Sequence, residues 1–296
     1  SYLGGTFMHP VLFTIGGFEI RFYGLMYALS FFIGIEIAKY MARERNFKTS
    51  IIENYAFAAM ISGLLGGRLY YVMFNLDYYL YHPSEILATW HGGMAIHGGI
   101  IGGIIGTFIY AKIKKLNPLT LGDYAAAPLL LGQALGRFGN FMNGEIHGVP
   151  TFTPWNVIFS IKPKFYEWYS YYTSLPAIDK MNFNTLVPWG VVFPSSSPAG
   201  SEFPNMALHP AMLYELILNF IGFLFIWFVL RKRENKAPGY MWWYYIIIYS
   251  IIRIFVSFFR AEDLMIANIR APHLVSLILI IFSIIMIKLG EKKMSK

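Results

Sequence analysis

Residues 208–230 have the sequence LHPAMLYELILNFIGFLFIWFVL, an apolar stretch of bilayer length that contains one acidic residue, Glu215. A transmembrane helix needs about 20 mostly apolar residues. Stretches of similar length and apolarity recur along the chain, and we predict seven transmembrane helices. They cover approximately residues 20–41, 51–75, 93–113, 119–143, 208–230, 239–260 and 271–289. The expected fold is therefore an all-α polytopic membrane protein.

The composition supports this fold class. Of 296 residues, 56% are hydrophobic and 14% are charged, and the mean hydropathy is +0.49. A soluble domain could not bury so much apolar surface in a single core. The 24 basic residues outnumber the 16 acidic ones, but they flank apolar stretches instead of forming a basic face. We therefore predict contact with anionic lipid headgroups of the bilayer and no nucleic-acid partner.

The chain contains no cysteine. This excludes a disulfide framework, a thiolate nucleophile of its own and a zinc-thiolate site. No cluster of metal-ligand residues is evident in the sequence either. We predict that the protein works without a metal or other cofactor.

The basic residues also predict the orientation, because loops rich in Lys and Arg stay in the cytoplasm. Four such clusters follow alternate predicted helices: Lys39, Arg43, Arg45 and Lys48; Lys112, Lys114 and Lys115; Arg231, Lys232, Arg233 and Lys236; and Lys288, Lys292, Lys293 and Lys296. We predict an N-terminus outside the cell membrane and a cytoplasmic C-terminus.

Two segments do not resemble transmembrane helices. Residues 76–92 are aromatic and polar, which predicts an arm lying in the outer headgroup layer. Residues 146–207 are rich in Pro, Ser, Tyr and Trp, which predicts a small outer-face head domain of short strands and loops. The predicted organisation is thus transmembrane helices in residues 1–145, the head domain in 146–207 and further transmembrane helices in 208–296.

Four arginines lie within or beside three of the apolar stretches: Arg68, Arg137, Arg253 and Arg260. A guanidinium keeps its charge in almost any environment, so one that is placed inside the bilayer usually marks a polar, functional cavity. Such a cavity would suit a substrate that carries a phosphate.

The most polar of these stretches is GQALGRFGNFMNGEIHG, residues 132–148. Arg137, Asn140 and Gly144 are spaced to share one helix face, and Glu145 lies about 12 Å further along the axis than Arg137. A cation, an amide and a carboxylate on one helix predict a binding site for an anion. The alternative is a packing helix in which Arg137 pairs with Glu145 or Asp123.

A histidine precedes a run of glycines in GGMAIHGGIIGGIIG, residues 92–106. The spacing of Gly98, Gly102 and Gly106 predicts a helix-packing ridge. A neutral imidazole such as that of His97 can accept a proton at physiological pH. An isolated histidine is more often structural, but we expect His97 at the outer end of its helix, level with the outer end of the arginine helix, which favours a catalytic role.

Polar residues also follow one stripe of YSIIRIFVSFFRAED, residues 249–263. The stripe consists of Tyr249, Arg253, Ser257 and Arg260. Arg260 is near enough to the interface to serve as an anchor instead. Two further contributions to the same cavity are predicted: Tyr23, and the set His209, Tyr214 and Glu215, in which Glu215 could neutralise an arginine.

These motifs together resemble the bacterial prolipoprotein diacylglyceryl transferases. GRFGNFMNGEIHG is the most specific of them, with HGGIIGG before it and HPAMLYE and RIFVSFFR after it, and the resemblance covers essentially the whole chain. It implies an enzyme of the bacterial cytoplasmic (inner) membrane. Such an enzyme transfers diacylglyceryl from phosphatidylglycerol to the lipobox cysteine of a preprolipoprotein signal peptide and releases glycerol phosphate.

The resemblance also implies roles for individual residues. The essential histidine corresponds to His97, the two essential arginines to Arg137 and Arg253, and the functional tyrosines to Tyr23 and Tyr249. A further set is expected to bind phosphatidylglycerol: Arg137, Asn140, Glu145, Gly148, Arg253 and Arg260. The chain departs from the family pattern at Ser257, where some members have a carboxylate, so that an acid required there would have to be Glu145 or Glu215.

Three other functions are compatible with arginines in transmembrane helices. An anion or lipid carrier or channel would use them without forming a bond. A membrane acyltransferase would cleave an ester and leave the phosphate in place. A purely structural scaffold has no need for so many charges in its helices, and we rank it last.

Overall fold

The computed structural model describes residues 10–89, 96–261 and 263–296, without the side chains of Phe18 and Tyr23. Six of its helices are long and apolar enough to cross a membrane. They are Gly24–Glu44, Thr49–Phe74, Ile96–Lys114, Ala211–Leu230, Tyr240–Ser257 and Ala271–Met294. Six of the seven predicted transmembrane segments thus form helices of membrane-spanning length and apolarity, and the chain is a polytopic, mostly helical membrane protein.

The described elements are long helices, short helices and three short antiparallel strand pairs. From the N-terminus they are β1 (Val11–Ile15), β2 (Phe18–Arg21), α1 (Phe22–Glu44), α2 (Thr49–Phe74), α3 (Leu76–Tyr81), a 3-10 turn (Pro83–Glu85), α4 (Ile96–Lys114) and α5 (Pro118–Asn143). Next come α6 (Trp155–Ile158), α7 (Phe165–Ser174), α8 (Ala177–Lys180), β3 (Val191–Val192), α9 (Pro198–Glu202) and β4 (Ala207–Leu208). The last are α10 (Ala211–Phe225), which continues as a π-helical turn (Ile226–Leu230), α11 (Tyr240–Ser257), β5 (Met265–Ile266), β6 (Ile269–Arg270) and α12 (Ala271–Met294).

The chain divides into two compact units. The first consists of residues 1–34 and 127–296, and the second of residues 35–126. Helices α1 and α5 contribute residues to both.

In the second unit, α2 and α4 pack through glycines. A Cβ added to Gly66 would lie 2.3 Å from the Gly98 carbonyl oxygen, and one added to Gly102 would lie 2.2 Å from that of Ser62. No side chain fits at such distances, so the backbones of the two helices are in contact there. The predicted packing ridge of Gly98, Gly102 and Gly106 is confirmed, since a Cβ on Gly106 would also collide with Ser62.

Arg68 of α2 holds the segment that follows α3. Its Nε donates to the carbonyl of Ile86 at 2.9 Å and its Nη2 to that of Glu85 at 2.6 Å. The side chain is buried. Residues 76–89 of the predicted arm are thus α3 and a 3-10 turn tied to α2, while residues 90–92 of the arm lie outside the described residues. Its place in the headgroup layer stays a prediction.

In the first unit, the segment between α5 and α10 shares a core with the long helices. Val149, Phe193 and Leu208 belong to one buried apolar cluster with Met212 of α10 and Val256 of α11. β3 and β4 form a short antiparallel pair in which Val191 lies opposite Leu208. The prediction of short strands and loops in residues 146–207 is confirmed in part: most of the stretch is loop and turn and it contains this strand pair, but it also has the four short helices α6 to α9. The stretch contains Pro154, Pro176 and Pro198, each just before or at the start of a helix, which is a position that proline tolerates.

Helix α5 has nearly the predicted bounds but is not among the six membrane-crossing candidates. Asp123, Gln133, Arg137 and Asn140 make it more polar than the others. It places the most specific sequence motif in the first unit.

Candidate active site

Arg137 of α5 is held by Glu215 of α10. Arg137 Nε lies 2.7 Å from Glu215 Oε2, and Arg137 Nη2 donates to Oε1 at 3.1 Å. The Glu215 side chain is completely buried, whereas 20% of the Arg137 side chain is exposed. A two-point contact of this kind fixes the plane of the guanidinium. Glu215 thus neutralises an arginine as predicted, whereas the alternative of a packing helix had offered Glu145 or Asp123 as the partner of Arg137.

Asn140 extends this contact to the end of α5. Arg137 Nη1 donates to Asn140 Oδ1 at 2.9 Å, and Asn140 Nδ2 donates to Glu145 Oε2 at 3.2 Å. The shared face of Arg137 and Asn140 is confirmed. The placement of Gly144 on that face is wrong because α5 ends at Asn143 and Gly144 has a left-handed backbone, φ 65°. This turn brings Glu145 back towards Asn140.

Gly148 is required by the packing of three chain segments. Its N–H donates to the His209 carbonyl at 2.9 Å, and the N–H of Val149 donates to that of Phe259 at 2.8 Å. A Cβ on Gly148 would lie 2.7 Å from the first of these oxygens and 3.0 Å from the second. These short distances explain why position 148 requires glycine. A direct contact between Gly148 and phosphatidylglycerol stays a prediction.

Tyr249 of α11 joins the two arginines that we expected to be essential. Its hydroxyl is hydrogen-bonded to Arg137, and it lies within electrostatic range of Arg253 and Glu215. The two arginines come from different helices, so this convergence is a property of the folded first unit. Two guanidinium groups near one point can bind one phosphate between them.

Asp263, which we did not single out from the sequence, lies between Arg253 and Arg260. Its Oδ1 is 3.8 Å from Arg253 Nη2 and 3.7 Å from Arg260 Nη1. Ser257 Oγ donates to its Oδ2 at 2.5 Å. Where the family resemblance expects a carboxylate at position 257, this chain has a serine that binds a carboxylate six residues later. The sequence signal that could have identified Asp263 is its position three residues after Arg260.

The C-terminal end of α11 is held by a buried cation. Arg270 Nη1 donates to the carbonyls of Ser257 at 2.5 Å and Arg260 at 2.9 Å. These carbonyls end the helix, where a cation is favoured by the helix dipole. Only 1% of Arg270 is exposed, and burial lowers the pKa of its guanidinium.

Burial also lowers the pKa of Arg260, which lies beyond the end of α11. Asp263 and Glu215 act in the opposite direction, and Arg253 and Arg137 act in the same direction as burial. Arg260 is therefore part of the electrostatic environment of the other two arginines.

His209 and Tyr214 form a separate cluster. His209 Nδ1 is 2.7 Å from the Tyr214 hydroxyl, to which Trp189 Nε1 donates at 2.7 Å. His209 is fully buried, and burial lowers its pKa from 6.5 to about 4. It is therefore neutral at physiological pH. Of the predicted set His209, Tyr214 and Glu215, only Glu215 binds one of the arginines directly through a hydrogen bond or ion pair among the described residues.

His97 belongs to the second unit. It is the second residue of α4, its side chain is exposed, and its ring centre lies 6.2 Å from that of Tyr70. The side chain of Tyr23, in α1, lies outside the described part of the structure. The structure therefore brings together Tyr249, Arg137, Asn140, Glu145, Arg253 and Arg260 in the first unit. The parts that His97 and Tyr23 take in the reaction stay predictions.

Comparisons with known proteins agree with the sequence motifs. A model of the prolipoprotein diacylglyceryl transferase family matches residues 10–289. A relative in Fusobacterium nucleatum named phosphatidylglycerol–prolipoprotein diacylglyceryl transferase is 70% identical over 286 residues, which are 97% of this chain and 99% of the relative. A relative of the same name in Staphylococcus aureus is 33% identical over 283 residues, which are 95% of this chain and 89% of the relative. The chain belongs to the prolipoprotein diacylglyceryl transferase family.

Proposed function

We propose that this chain transfers the diacylglyceryl group of phosphatidylglycerol to a prolipoprotein, and that the acceptor is the cysteine thiol of the lipobox in its signal peptide. The family, with a 70% identical relative named for this activity, supports a transferase of lipoprotein biosynthesis. It gives no support to the anion or lipid carrier. The acceptor thiol comes from the substrate, since the chain itself has no cysteine.

The observation that carries the proposed mechanism is the convergence of Arg137 and Arg253 around Tyr249. In this proposal, the two guanidinium groups bind the phosphate of phosphatidylglycerol. The ion pair and hydrogen bond with Glu215 hold Arg137 in place before the substrate arrives. Fixed donors need no reorganisation as charge develops, and in a site that excludes water they stabilise charge more than bulk water does.

The reaction exchanges one bond for another. The substrate thiol, with a pKa of about 8.5, is mostly protonated at neutral pH. His97 accepts its proton, and the thiolate attacks the glyceryl carbon that bears the phosphate. A carbon–sulfur bond forms as the carbon–oxygen bond to phosphate breaks. The oxygen leaves with glycerol phosphate, whose added negative charge is stabilised by Arg137 and Arg253.

The remaining predicted residues serve binding in this proposal. Asn140 and Glu145 continue the hydrogen-bonded chain from Arg137 to the end of α5 and contact the headgroup of phosphatidylglycerol. Arg260 adds a third cation near the phosphate of phosphatidylglycerol. Tyr249 and Tyr23 orient the reacting groups, and Gly148 keeps the lipid-binding segment close to His209 and Phe259.

We further propose a placement in the bacterial inner membrane. In this placement α5 is a seventh crossing, the N-terminus is outside and the C-terminus is cytoplasmic. Residues 146–207 form the outer-face head between the helices of residues 1–145 and those of residues 208–296. The basic clusters at one set of loops support this orientation. The arm of residues 76–92 then lies in the outer headgroup layer of the bilayer.

The decisive experiment combines the purified protein, phosphatidylglycerol and a synthetic lipobox peptide with one cysteine. We expect the peptide to gain the mass of diacylglyceryl, with an equal amount of glycerol phosphate released. An acyltransferase would add only the mass of a fatty acyl group and release no glycerol phosphate. An unmodified peptide with folded, lipid-bound protein would contradict the proposal.

The proposed base is tested in the same assay. We expect His97→Gln to lose transfer by about 10²- to 10⁴-fold, the usual contribution of a general base. The matched control is His82→Gln, since His82 is an exposed histidine of the same unit. Transfer by His97→Gln at the rate of the control would remove His97 from this role.

A further inference from the structure

The loop after α11 places one carboxylate between two arginines. Asp263 Oδ1 lies 3.8 Å from Arg253 Nη2 and 3.7 Å from Arg260 Nη1, and only 6% of the Asp263 side chain is exposed. Two guanidinium groups on one helix end would otherwise repel each other. The shared carboxylate offsets this repulsion, and it does so more effectively when buried than it would in water.

Ser257 fixes the direction of that carboxylate. It is the last residue of α11, one turn after Arg253, and its hydroxyl donates to Asp263 Oδ2 at 2.5 Å. The oxygen bonded to Ser257 is not the one that lies near the arginines. Asp263 is therefore oriented by the helix that carries Arg253, while its second oxygen is left to the two cations.

Both arginines retain donors for another group. Arg253 Nη1 and Arg260 Nε are buried and have no hydrogen-bond partner among the described residues. The contacts of 3.7 and 3.8 Å with Asp263 are too long to be hydrogen bonds. A buried N–H without a partner is costly, so these two atoms favour an incoming oxygen acceptor, and an anion with several oxygens could satisfy both.

We propose that Asp263 is a positioning residue which, oriented by Ser257, holds Arg253 and Arg260 as paired donors for the phosphate of the lipid substrate. This rests on the proposed function, because the phosphate is that of phosphatidylglycerol. Asp263 acts through the arginines and does not touch the reacting atoms. The three charged groups sum to one positive charge, which matches the single negative charge of a phosphodiester.

The test is steady-state kinetics of the full-length protein in detergent, with phosphatidylglycerol and the lipobox peptide varied separately. We expect Asp263→Asn to raise KM for phosphatidylglycerol about tenfold, while kcat and KM for the peptide change less than about threefold. Without the carboxylate the two guanidinium groups separate, so the cost falls on binding of the phosphate. Ser257→Ala should give a smaller change in the same direction. Asp179→Asn is the control, since Asp179 is exposed.

A transposed variant separates positioning from a merely structural role. Ser257→Asp combined with Asp263→Ser keeps one carboxylate and one hydroxyl in the pair, and we expect it to recover a large part of the lost affinity for phosphatidylglycerol. An unchanged or lowered KM for that lipid in Asp263→Asn would overturn the proposal. The proposal would also be overturned if Asp263→Asn raised KM equally for phosphatidylglycerol and for the peptide and the transposed variant did not recover either value.

Two further variants complete the design. If Asp263→Asn does not fold, Asp263→Glu keeps the charge and should show an intermediate KM for phosphatidylglycerol. Failure of both to fold would make Asp263 structural and overturn the proposal. Arg253→Gln tests the proposed function itself: an unchanged KM and kcat there would remove the phosphate role from Arg253. A loss in Arg253→Gln without one in Asp263→Asn would overturn only the role of Asp263.

Discussion

Arg68 and Arg137 are both arginines within long helices, yet the hydrogen bonds that the structure shows for them go to acceptors of different kinds. Arg68, in the second unit, donates to the backbone carbonyls of Glu85 and Ile86. Arg137, in the first unit, contacts the side chains of Glu215 and Asn140. An arginine that donates to backbone carbonyls holds a neighbouring chain segment in place. A side-chain network instead fixes a cation in a chosen orientation and can be altered without moving the backbone.

The comparison shows why an arginine in an apolar stretch is not by itself evidence of a site. The same residue type in the same kind of helix serves to hold a neighbouring segment in one unit and forms part of the candidate active site in the other. The partners decide between the two uses. We therefore expect substitutions in the two regions to change different quantities, either the activity or the stability.

The largest expected effect is on activity in the first unit. Replacing both members of the pair, as Arg137→Met with Glu215→Met, should leave a folded protein, because buried ion pairs can be exchanged for apolar residues at little or no cost. Transfer should fall by at least about 10²- to 10³-fold, because a fixed donor to the developing charge is lost. The peptide assay measures the rate and thermal unfolding measures the fold. Arg43→Met, at an exposed arginine, is the control. A folded double variant with near-normal transfer would show that Arg137 serves packing, like Arg68.

Removing only the carboxylate should affect stability instead. Glu215→Met leaves the Arg137 guanidinium without its charged partner, and breaking a buried pair in this way costs about 3–5 kcal/mol. The measurement is the shift in thermal unfolding relative to Glu234→Met, at an exposed glutamate. Stability equal to that of this control would mean that other groups already neutralise Arg137.

The third effect is in the second unit. Arg68→Met removes a buried guanidinium that donates to the carbonyls of Glu85 and Ile86. Hydrogen bonds from a charged donor contribute about 1.5–3 kcal/mol, so we expect a loss of that size in the free energy of unfolding. The folded fraction should transfer at a rate within about threefold of wild type, because the segment that Arg68 holds belongs to the second unit and contributes no proposed phosphate-binding group. A larger loss of kcat at unchanged stability would place Arg68 in the site and end the contrast with Arg137.

The sequence was informative where apolar length and helical spacing decide the structure. Six crossings, the glycine ridge of α4 and the common face of Arg137 and Asn140 follow from such local patterns. α5 was predicted as an ordinary transmembrane helix, but its polar residues leave it below the apolarity of the other six.

The contacts that the sequence did not reveal depend on distant residues or on the ends of helices. Arg137 and Glu215 are 78 positions apart, and several carboxylates were available to pair with that arginine. Asp263 and Arg270 contact the end of α11 from the segment that follows it. The periodicity of apolar residues in the sequence does not predict the course of such a segment. The course of the chain after Gly144 likewise depends on a left-handed residue, not on the helix before it.

The smallest expected effect concerns a surface contact of the first unit. His147 Nε2 lies 2.7 Å from Glu202 Oε2, and Tyr166 donates to Oε1 at 2.9 Å. The hydrogen bond from His147 is the main cause that lowers the pKa of Glu202 below its ordinary value of 4.5, and burial opposes it. A carboxyl whose pKa is lowered by folding adds stability above its unfolded pKa and loses it as the pH falls through the folded value.

Glu202→Gln should therefore reduce stability near neutral pH but have no effect once the pH is well below 4.5. Because Glu202 is about one-third exposed, we expect a difference of less than about 1 kcal/mol. Thermal unfolding of both proteins across this pH range measures it, with Glu167→Gln, an exposed glutamate of the same segment, as the control. A difference that persists unchanged at low pH would mean that Glu202 contributes through packing rather than charge. Transfer should change little in either case, since Glu202 is outside the proposed phosphate-binding groups, and a large loss would extend the functional network from Arg137 into residues 146–207.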